Sequence, residues 1–180
     1  MLSRALFSVP GGSLEICRSY SNCVFPPGNL TTVYAFSYTF FRPRGKFGVV
    51  SKAIHKETSR EYAAKFIKCR PREKLFVYGE IEIMNQLNHK RLVQLYDAYE
   101  TAKNIILVLE LVTGGELFEK LTELEFISEH VVVYYMKQVL QGLHYIHDKQ
   151  ILHLDLKVSS LRSYSLKTHY VCRSFLIYLS

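Results

Sequence analysis

The chain has 180 residues, of which 48% are hydrophobic and 22% charged, so it can form one domain with a core and does not have a disordered composition. Its net charge of +7 lies largely in the flanks, because residues 42–157 carry 18 Lys and Arg against 15 Asp and Glu, whereas all other residues carry 5 against one. No basic run is interleaved with aromatic residues, and no apolar stretch reaches the roughly 18 residues of a membrane-spanning helix, so we expect no nucleic acid and no membrane as partner.

The cysteines form no C-x-x-C pair and show neither metal-ligand nor disulfide spacing. They are Cys17, Cys23, Cys69 and Cys172. This usage fits a reducing compartment, and it offers no cysteine-based metal site.

Residues 1–41 are polar and aromatic but nearly uncharged. Arg4, with no acidic residue before Glu15, is a pattern that a transit peptide shares with an ordinary unstructured leader. We predict that residues 1–41 are an unstructured or unrelated leader and do not direct the chain to mitochondria. The alternating stretch from Thr32 to Phe41 nevertheless offers a first strand for the region that follows.

Residues 42–157 carry regular hydrophobic patterns. Alternation and β-branched residues predict strands, whereas apolar residues at helical spacing predict helices. The predicted strands are Phe47–Ile54, Tyr62–Ile67, Leu92–Tyr99 and Asn104–Glu110, and the predicted helices are 73–88, Glu116–Thr122 and a long helix capped by Ser128 that ends near Asp148. A small antiparallel sheet with one helix among its strands, followed by further helices, is an α+β fold.

Gly45 and Gly48 lie at the start of the first of these strands. Because they have no Cβ atom, the backbone N–H groups around them can approach a phosphate closely. A plain hairpin turn explains the same pair of glycines equally well.

Lys65 lies inside the apolar strand Tyr62–Ile67, so its ammonium points either to solvent or into a cleft. Glu80 lies on the next predicted helix, where a carboxylate could orient that ammonium. Taken singly, Lys65 is equally explained as a solvent-facing lysine of an edge strand. Glu80 is equally explained as a residue on a solvated helix face.

Asp155 and Lys157 follow the long helix within the segment His153-Leu-Asp-Leu-Lys157. An aspartate with a lysine two residues further on supplies a base and a cation that can neutralise a phosphate. A match of this length is not specific by itself.

The four signals together follow the order and spacing of the protein kinase signatures, namely glycine-rich loop, strand lysine, helix glutamate and catalytic loop. The amino acids within and around these signals resemble those of the myosin light chain kinase group of calcium/calmodulin-dependent-kinase-like serine/threonine kinases. This group includes the giant muscle kinases of titin and twitchin type. The segments that carry the resemblance are Arg44–Val50, Glu80–Asn85, Gly114–Lys120 and His153–Lys157. It implies a protein-kinase-like N-lobe with only the first helices of the C-lobe, and transfer of the ATP γ-phosphate to a protein Ser or Thr hydroxyl.

The resemblance also assigns roles to residues. Gly45 and Gly48 would lie over the ATP phosphates, and Lys65, paired with Glu80, would hold the α- and β-phosphates. Asp155 would accept the proton of the substrate hydroxyl, and Lys157 would steady the γ-phosphate. The adenine and ribose would be held by Val50, Ala63, the gatekeeper Leu109, the hinge residues Glu110 and Val112, and Glu116.

The implied partner is a protein substrate of the myosin light chain or cytoskeletal type, and the implied location is the cytoplasm, in muscle or on the cytoskeleton. Leu154 stands where most kinases have the arginine that pairs with a phosphorylated activation loop. Kinases of this group are usually controlled by a flanking inhibitory tail that calmodulin or mechanical force removes. We recognise no calmodulin-binding tail in the sequence.

Several positions depart from the kinase pattern. Pro43 replaces the first glycine of the loop and has no N–H to offer. Ser160 replaces the asparagine that holds a magnesium ion, Arg162 replaces an apolar residue under the adenine, and no Asp-Phe-Gly occurs in the chain. The resemblance implies Mg²⁺ beside ATP, but the residues that would bind the ion are missing from this sequence. We therefore predict no metal-binding residues.

We expect a partial kinase domain at 42–157, followed by an unrelated or divergent tail at 158–180. Losing both metal ligands removes most of the charge neutralisation that phosphoryl transfer needs, so we predict that this chain is inactive. The alternative function is that of a non-catalytic, pseudokinase-like fragment that binds nucleotide or a partner. Part of the apolar face of the long helix is expected to be bare, at Val132, Tyr135, Met136, Val139, Leu143 and Ile146.

Overall fold

A computed structural model describes residues 30–41, 49–101, 104–123, 125–153, 156, 161–165 and 170–174. They divide into two compact units. One unit contains the described residues up to 86 together with 94–111, and the other contains 87–93 and the described residues from 112 onward. We describe each unit by itself.

The first unit is a sheet with two helices. Its elements are α1 (Leu30–Val33), β1 (Tyr34–Phe41), β2 (Val49–His55), β3 (Glu61–Lys68), α2 (Pro71–Asn85), β4 (Leu95–Glu100) and β5 (Asn104–Glu110). Among the described residues the strand order is β1-β2-β3-β5-β4, and every neighbouring pair is antiparallel. The predicted α+β class is therefore confirmed.

The predicted elements between residues 49 and 148 are all present, with small shifts of their ends. The strand Asn104–Glu110 has the predicted bounds, whereas the predicted helix 73–88 extends from Pro71 to Asn85. It begins earlier because proline is favoured in the first turn, where its missing N–H leaves no hydrogen bond unmade. A capping box also starts it there, in which the Arg70 N–H donates to Glu73 Oε2 at 2.8 Å.

Opposite faces of the sheet have different side chains, because residues alternate along each strand. One face carries an aromatic and aliphatic core cluster: Leu30, Tyr34, Ala53, Ala64, Tyr99, Ile106 and Val108 are buried in it, and Phe36, Tyr62 and Phe66 pack against it. Tyr34 makes edge-on ring contacts with Tyr62 and Tyr99 at centroid distances of 5.8 and 6.2 Å.

The strand predicted between Thr32 and Phe41 is present as β1, which pairs with β2 from Tyr34↔His55 to Phe41↔Val50. Lys56, directly after β2, holds the end of α1 on the sheet, since its backbone N–H donates to the Val33 carbonyl at 2.9 Å. Residues 34–41 therefore lie in the sheet and residues 30–33 in the helix before it, while residues 1–29 are outside the described part. The assignment of 1–41 as a separate leader stays a prediction.

The second unit is built around one long helix. Its elements are α3 (Leu117–Thr122), α4 (Glu129–Asp148), β6 (Leu161–Ser165) and β7 (Tyr170–Ser174). Ser128 caps α4 as predicted, because its Oγ accepts from the Val131 N–H at 3.4 Å. The segment 87–93 is held on α4 by polar contacts, including Arg91 NH1 to Gln138 Oε1 at 2.6 Å.

The antiparallel pair β6 and β7 was not predicted from the sequence. Leu161 of β6 packs in a buried cluster with Leu117, Tyr135 and Val139. Tyr135 and Val139 are buried in this cluster, and Ile146 is buried as well, which corrects the expectation that these three would be bare. Val132 and Met136, at 46% and 48% exposure, are bare as expected. No helix in the described part of the chain is long and apolar enough to cross a membrane.

Candidate functional site

Lys65 lies in β3, which has β2 on one side and β5 on the other. The edge-strand interpretation of this lysine is therefore wrong. Its cross-strand partners are Val50 and Leu107, and its strand neighbours Ala64 and Phe66 point to the opposite face, into the aromatic core cluster. Lys65 is thus placed on the second face of the sheet, away from that cluster.

The strand register brings further predicted site residues to the same face as Lys65. Paired residues of antiparallel strands project from the same face, and Val50 pairs with Lys65 while Ala63 pairs with Leu109. Ala63 and Leu109 are 7% and 2% exposed. The resemblance placed Val50, Ala63, Lys65 and Leu109 around one nucleotide. In the structure these residues, from three strands, share one face of the sheet.

Glu80 lies on the buried face of α2, together with Val77, Ile81 and Met84. Only 8% of it is exposed, and its Oε2 atom has no hydrogen-bond partner. Burial raises the pKa of Glu80 to about 8, against the opposing effect of the nearby Lys65 charge. The interpretation of Glu80 as part of a solvated helix face is therefore wrong, and the carboxyl is largely protonated at neutral pH.

Burial also lowers the pKa of Lys65, and the Glu80 charge partly opposes this effect. The two groups are thus close enough to act on each other. Yet the ion pairs among the described residues include none between Lys65 and Glu80. The implied pair is therefore not closed in this structure.

The predicted hinge begins at Glu110, the last residue of β5. Its backbone N–H donates to the Gln94 carbonyl at 2.9 Å, and its Oε2 accepts from the Gln94 N–H at 3.4 Å. These two bonds fix the end of the strand from which the hinge leaves the sheet.

Val112 and Glu116 belong to the second unit, where both are half-buried. Glu116 precedes α3 in extended backbone conformation, and Gly115 before it has a φ of 78°. A residue with a side chain rarely adopts that conformation, so the chain direction just before α3 depends on this glycine.

The remaining predicted site residues lie outside the described part of the chain: Gly45, Gly48, Asp155 and Lys157, together with Pro43 and Ser160. Their assigned roles stay predictions. Arg162 lies in β6, where only its backbone is described.

Sequence reasoning did not single out one polar cluster beside the site. Glu100, at the end of β4, accepts hydrogen bonds from Lys74 Nζ and from the Tyr78 hydroxyl, the latter at 2.7 Å. We call these three residues the α2 clamp. The available signal was the spacing of Lys74 and Tyr78, which are one helical turn apart on α2, but nothing local indicates Glu100 as their partner.

ATP and Mg²⁺ fit these residues differently. Lys65, which is half-buried and has no ion pair with a carboxylate among the described residues, suits an anionic phosphate. Mg²⁺ prefers carboxylate oxygens, and at Ser160 the chain offers a neutral hydroxyl in place of the expected amide. Among the described residues no group of three His, Cys, Asp or Glu side chains could hold a metal ion. The described residues therefore suit ATP, whereas Ser160, at the position expected to hold Mg²⁺, lies outside them, and the prediction of no metal residues stays a prediction.

Comparison with known proteins gives a consistent result. The protein kinase domain profile matches residues 44–161. The chain is similar to the smooth muscle myosin light chain kinase of Gallus gallus, at 44% identity over 119 residues, which is 65% of this chain and 6% of that protein. It is 40% identical to myosin light chain kinase family member 4 of Homo sapiens over 136 residues, 74% of this chain and 35% of that protein.

A third relative is myosin light chain kinase 2, skeletal/cardiac muscle, of Bos taurus, at 37% identity over 147 residues, 81% of this chain and 24% of that protein. The chain thus corresponds to between 6% and 35% of the length of these three relatives.

Proposed function

The chain belongs to the protein kinase family, as a serine/threonine kinase domain of the myosin light chain kinase type, and on this premise we propose that its Lys65 face binds ATP. The observation that carries the proposal is the placement of Lys65 itself. Its ammonium lies on an inner strand, shares a face with Val50, Ala63 and Leu109, and has no ion pair with Glu80.

The chemistry of binding follows from the charges. A phosphate next to Lys65 stabilises the ammonium form that burial disfavours, so nucleotide binding raises the pKa of that lysine. Glu80, which is largely protonated at neutral pH, then competes little with the phosphate for the lysine. Apolar Val50, Ala63 and Leu109 offer contact area for the adenine ring, and the backbone beyond Glu110 offers it hydrogen bonds.

At the family level the reaction transfers the ATP γ-phosphoryl group to a protein Ser or Thr hydroxyl. The hydroxyl oxygen bonds to the γ-phosphorus, the bond from that phosphorus to the bridging oxygen breaks, and ADP leaves. We assign Asp155 to accept the hydroxyl proton and Lys157 to balance charge on the γ-phosphate. Mg²⁺, when bound, supplies further charge neutralisation in this family.

We propose that this chain transfers phosphate poorly, because Ser160 and the missing Asp-Phe-Gly weaken metal binding, and because the Lys65–Glu80 pair is not closed. The same two features favour the second candidate function, a non-catalytic module that binds nucleotide or a partner. The names of the relatives support a protein substrate of the myosin light chain type, and a cytoplasmic site of action is what the resemblance to this group implies. The chain covers a minor part of their length, so the substrate and the location are proposals as well.

Binding is tested by calorimetric titration of the purified chain with ATP, with and without Mg²⁺. We expect Lys65→Met to abolish the binding heat and Lys68→Met to leave it unchanged. Lys68 is the matched control because it lies on the same strand but is exposed. The absence of binding by the unaltered chain at millimolar ATP would refute the proposal.

Phosphate transfer is tested separately with radiolabelled ATP and a light-chain peptide. A rate above that of the Asp155→Asn variant identifies the chain as an enzyme. An equal rate, in a chain that binds ATP, identifies it as the non-catalytic module.

A further inference from the structure

The long helix α4 carries an apolar stripe that is largely exposed. Val133, Met136 and Leu140 are 39%, 48% and 56% exposed, and Leu143 is half-buried. We call these four residues the α4 stripe. They follow one another at intervals of three, four and three residues, which keeps their side chains on one side of the helix. The same alternation is the spacing with which two helices pack along each other.

The two ends of the α4 stripe carry groups of opposite character. Glu129, in the first turn of α4, lies four residues before Val133, and His147, in the last turn, lies four residues after Leu143. Both are exposed, and both continue the spacing of the stripe. An acid therefore stands at one end of the apolar surface and a base at the other.

The stripe is complementary to itself when a second copy runs in the opposite direction. In an antiparallel pair of α4 helices with a two-fold axis beside Gln138, each residue of one copy contacts a different residue of the other, and the reverse contact repeats it. The facing residues are then Met136 with Leu140, Val133 with Leu143, and Glu129 with His147. A parallel pair would instead place Glu129 against Glu129 and His147 against His147, so the charges favour the antiparallel arrangement.

We propose that the α4 stripe binds the α4 stripe of a second copy of this chain in an antiparallel, two-fold symmetric dimer. The apolar side chains leave water on pairing, and at each end the imidazole of His147 donates a hydrogen bond to the carboxylate of Glu129. Because both copies use the same surface, the contact closes at two chains and does not extend into a filament. The inference goes beyond nucleotide binding and does not depend on it.

The size of the surface sets the strength of the dimer. A helix of this length is about 30 Å long and about 10 Å wide, so one copy covers roughly 300 Å² of the other. Phe126, which is 81% exposed just before α4, adds up to about 200 Å². The total is less than the about 800 Å² per partner of a stable complex. Lys137 flanks the middle of the stripe, where the two copies of this lysine oppose the pairing. We therefore expect a weak dimer, with a monomeric chain at low micromolar concentration.

Sedimentation velocity of the full chain without nucleotide, from low micromolar to sub-millimolar concentration, tests the proposal. We expect a monomer at the lower end and a dimer at the upper end. Met136→Glu places a charge in the middle of the stripe and is expected to raise the dissociation constant at least about tenfold. Leu75→Glu is the matched control, because Leu75 is 47% exposed on α2, and it is expected to leave the dissociation constant unchanged.

Three results of this experiment would overturn the proposal. They are a monomer at every concentration, an assembly larger than a dimer, and a dimer that Met136→Glu weakens no more than Leu75→Glu does. A monomer would show that a different occupant covers the α4 stripe or that water does. Circular dichroism of each variant shows whether it has kept its helices.

An exchange of charges tests the antiparallel arrangement and decides the matter if Met136→Glu does not fold. His147→Glu places a second carboxylate against Glu129 at both ends, and it is expected to weaken the dimer about threefold or more. Adding Glu129→Lys to the same chain brings opposite charges together again and is expected to restore the affinity. A dimer that His147→Glu does not weaken, or that the second substitution does not restore, contradicts the proposal.

Discussion

The hydroxyl of Tyr34 donates a 2.5 Å hydrogen bond to Asp97 Oδ2, which joins the first residue of β1 to β4, 63 positions later in the chain. Tyr34 is 3% exposed, and the ring of His55 lies edge-on to it at 5.3 Å. Burial first, and then this bond, raise the pKa of Tyr34 far above its usual range. The contact makes β1 an integral part of the first unit.

Removal of that hydroxyl tests the contribution of β1. We expect Tyr34→Phe to reduce the free energy of unfolding by about 1–3 kcal/mol, because a hydrogen bond to a charged, partly buried acceptor is lost while the ring contacts remain. A double-mutant cycle with Asp97→Ala, measured by urea denaturation, gives the coupling energy. A coupling energy near zero would show that the bond contributes nothing to stability.

The pH dependence of stability tests the environment of Glu80. Its pKa in the folded state, about 8, is raised above the ordinary value near 4.5, so the folded chain binds this proton more tightly than the unfolded chain. The contribution to stability is therefore fully present below pH 4.5 and is lost as the pH rises toward 8. In this window we expect the free energy of unfolding of the unaltered chain to fall by about 1.4 kcal/mol per pH unit relative to that of Glu80→Gln.

The measurement is chemical denaturation of both chains between pH 5 and pH 9, with Glu82→Gln as control. The control is expected to follow the unaltered chain at every pH, because Glu82 is exposed. Parallel curves for Glu80→Gln and the unaltered chain would contradict the assigned pKa shift.

A pair of leucines tests whether β6 covers α4. Leu161 is 8% exposed, in the cluster with Tyr135 and Val139, whereas Leu140 of α4 is 56% exposed. Leu161→Ala is expected to cost about 2–4 kcal/mol through the cavity it leaves, and Leu140→Ala less than about 1 kcal/mol. Equal decreases in the free energy of unfolding of the two variants, measured by chemical denaturation, would argue against the packing of β6 on the helix.

Replacing each of two glycines by alanine is expected to change the stability of the chain in opposite directions. Gly115→Ala should destabilise the chain by about 1–2 kcal/mol, because an L-residue is strained at a φ of 78°. Gly79→Ala should stabilise it by about 0.5–1 kcal/mol, because Gly79 lies within α2 and an added Cβ meets no atom within 4 Å. Thermal unfolding of the two variants checks the signs, and a stabilising Gly115→Ala would rule out the left-handed turn before α3.

Much of the fold was predictable because its signals are local. The alternation in β3 and β5 and the helical spacing in α2 and α4 fall within short windows, and each sets the type of one element. The family was predictable for a related reason, since four short motifs keep a fixed order along the chain. The bounds at Pro71 and Ser128 follow from the chemistry of single residues at helix starts.

The candidate site was predictable only as a set of residues. The sequence placed Lys65 on a strand and Glu80 on a helix, but left open whether each faced solvent. The inner position of β3 and the burial of Glu80 required the pairing of strands that are distant in sequence. The α2 clamp was not predictable for the same reason, since Glu100 meets Tyr78 only through packing of α2 on β4.

The sequence by itself determined the elements between residues 49 and 148, the α+β class and the kinase family, because these depend on periodicity and on motifs a few residues long. Only the tertiary structure decided that Tyr34 bonds to Asp97 of β4, that Leu161 covers part of α4, and that the half-buried Lys65 lies near the buried Glu80 without forming their ion pair. The physical reason is that burial and ion pairing depend on which distant segments pack together, and desolvation then sets the charge of the groups enclosed.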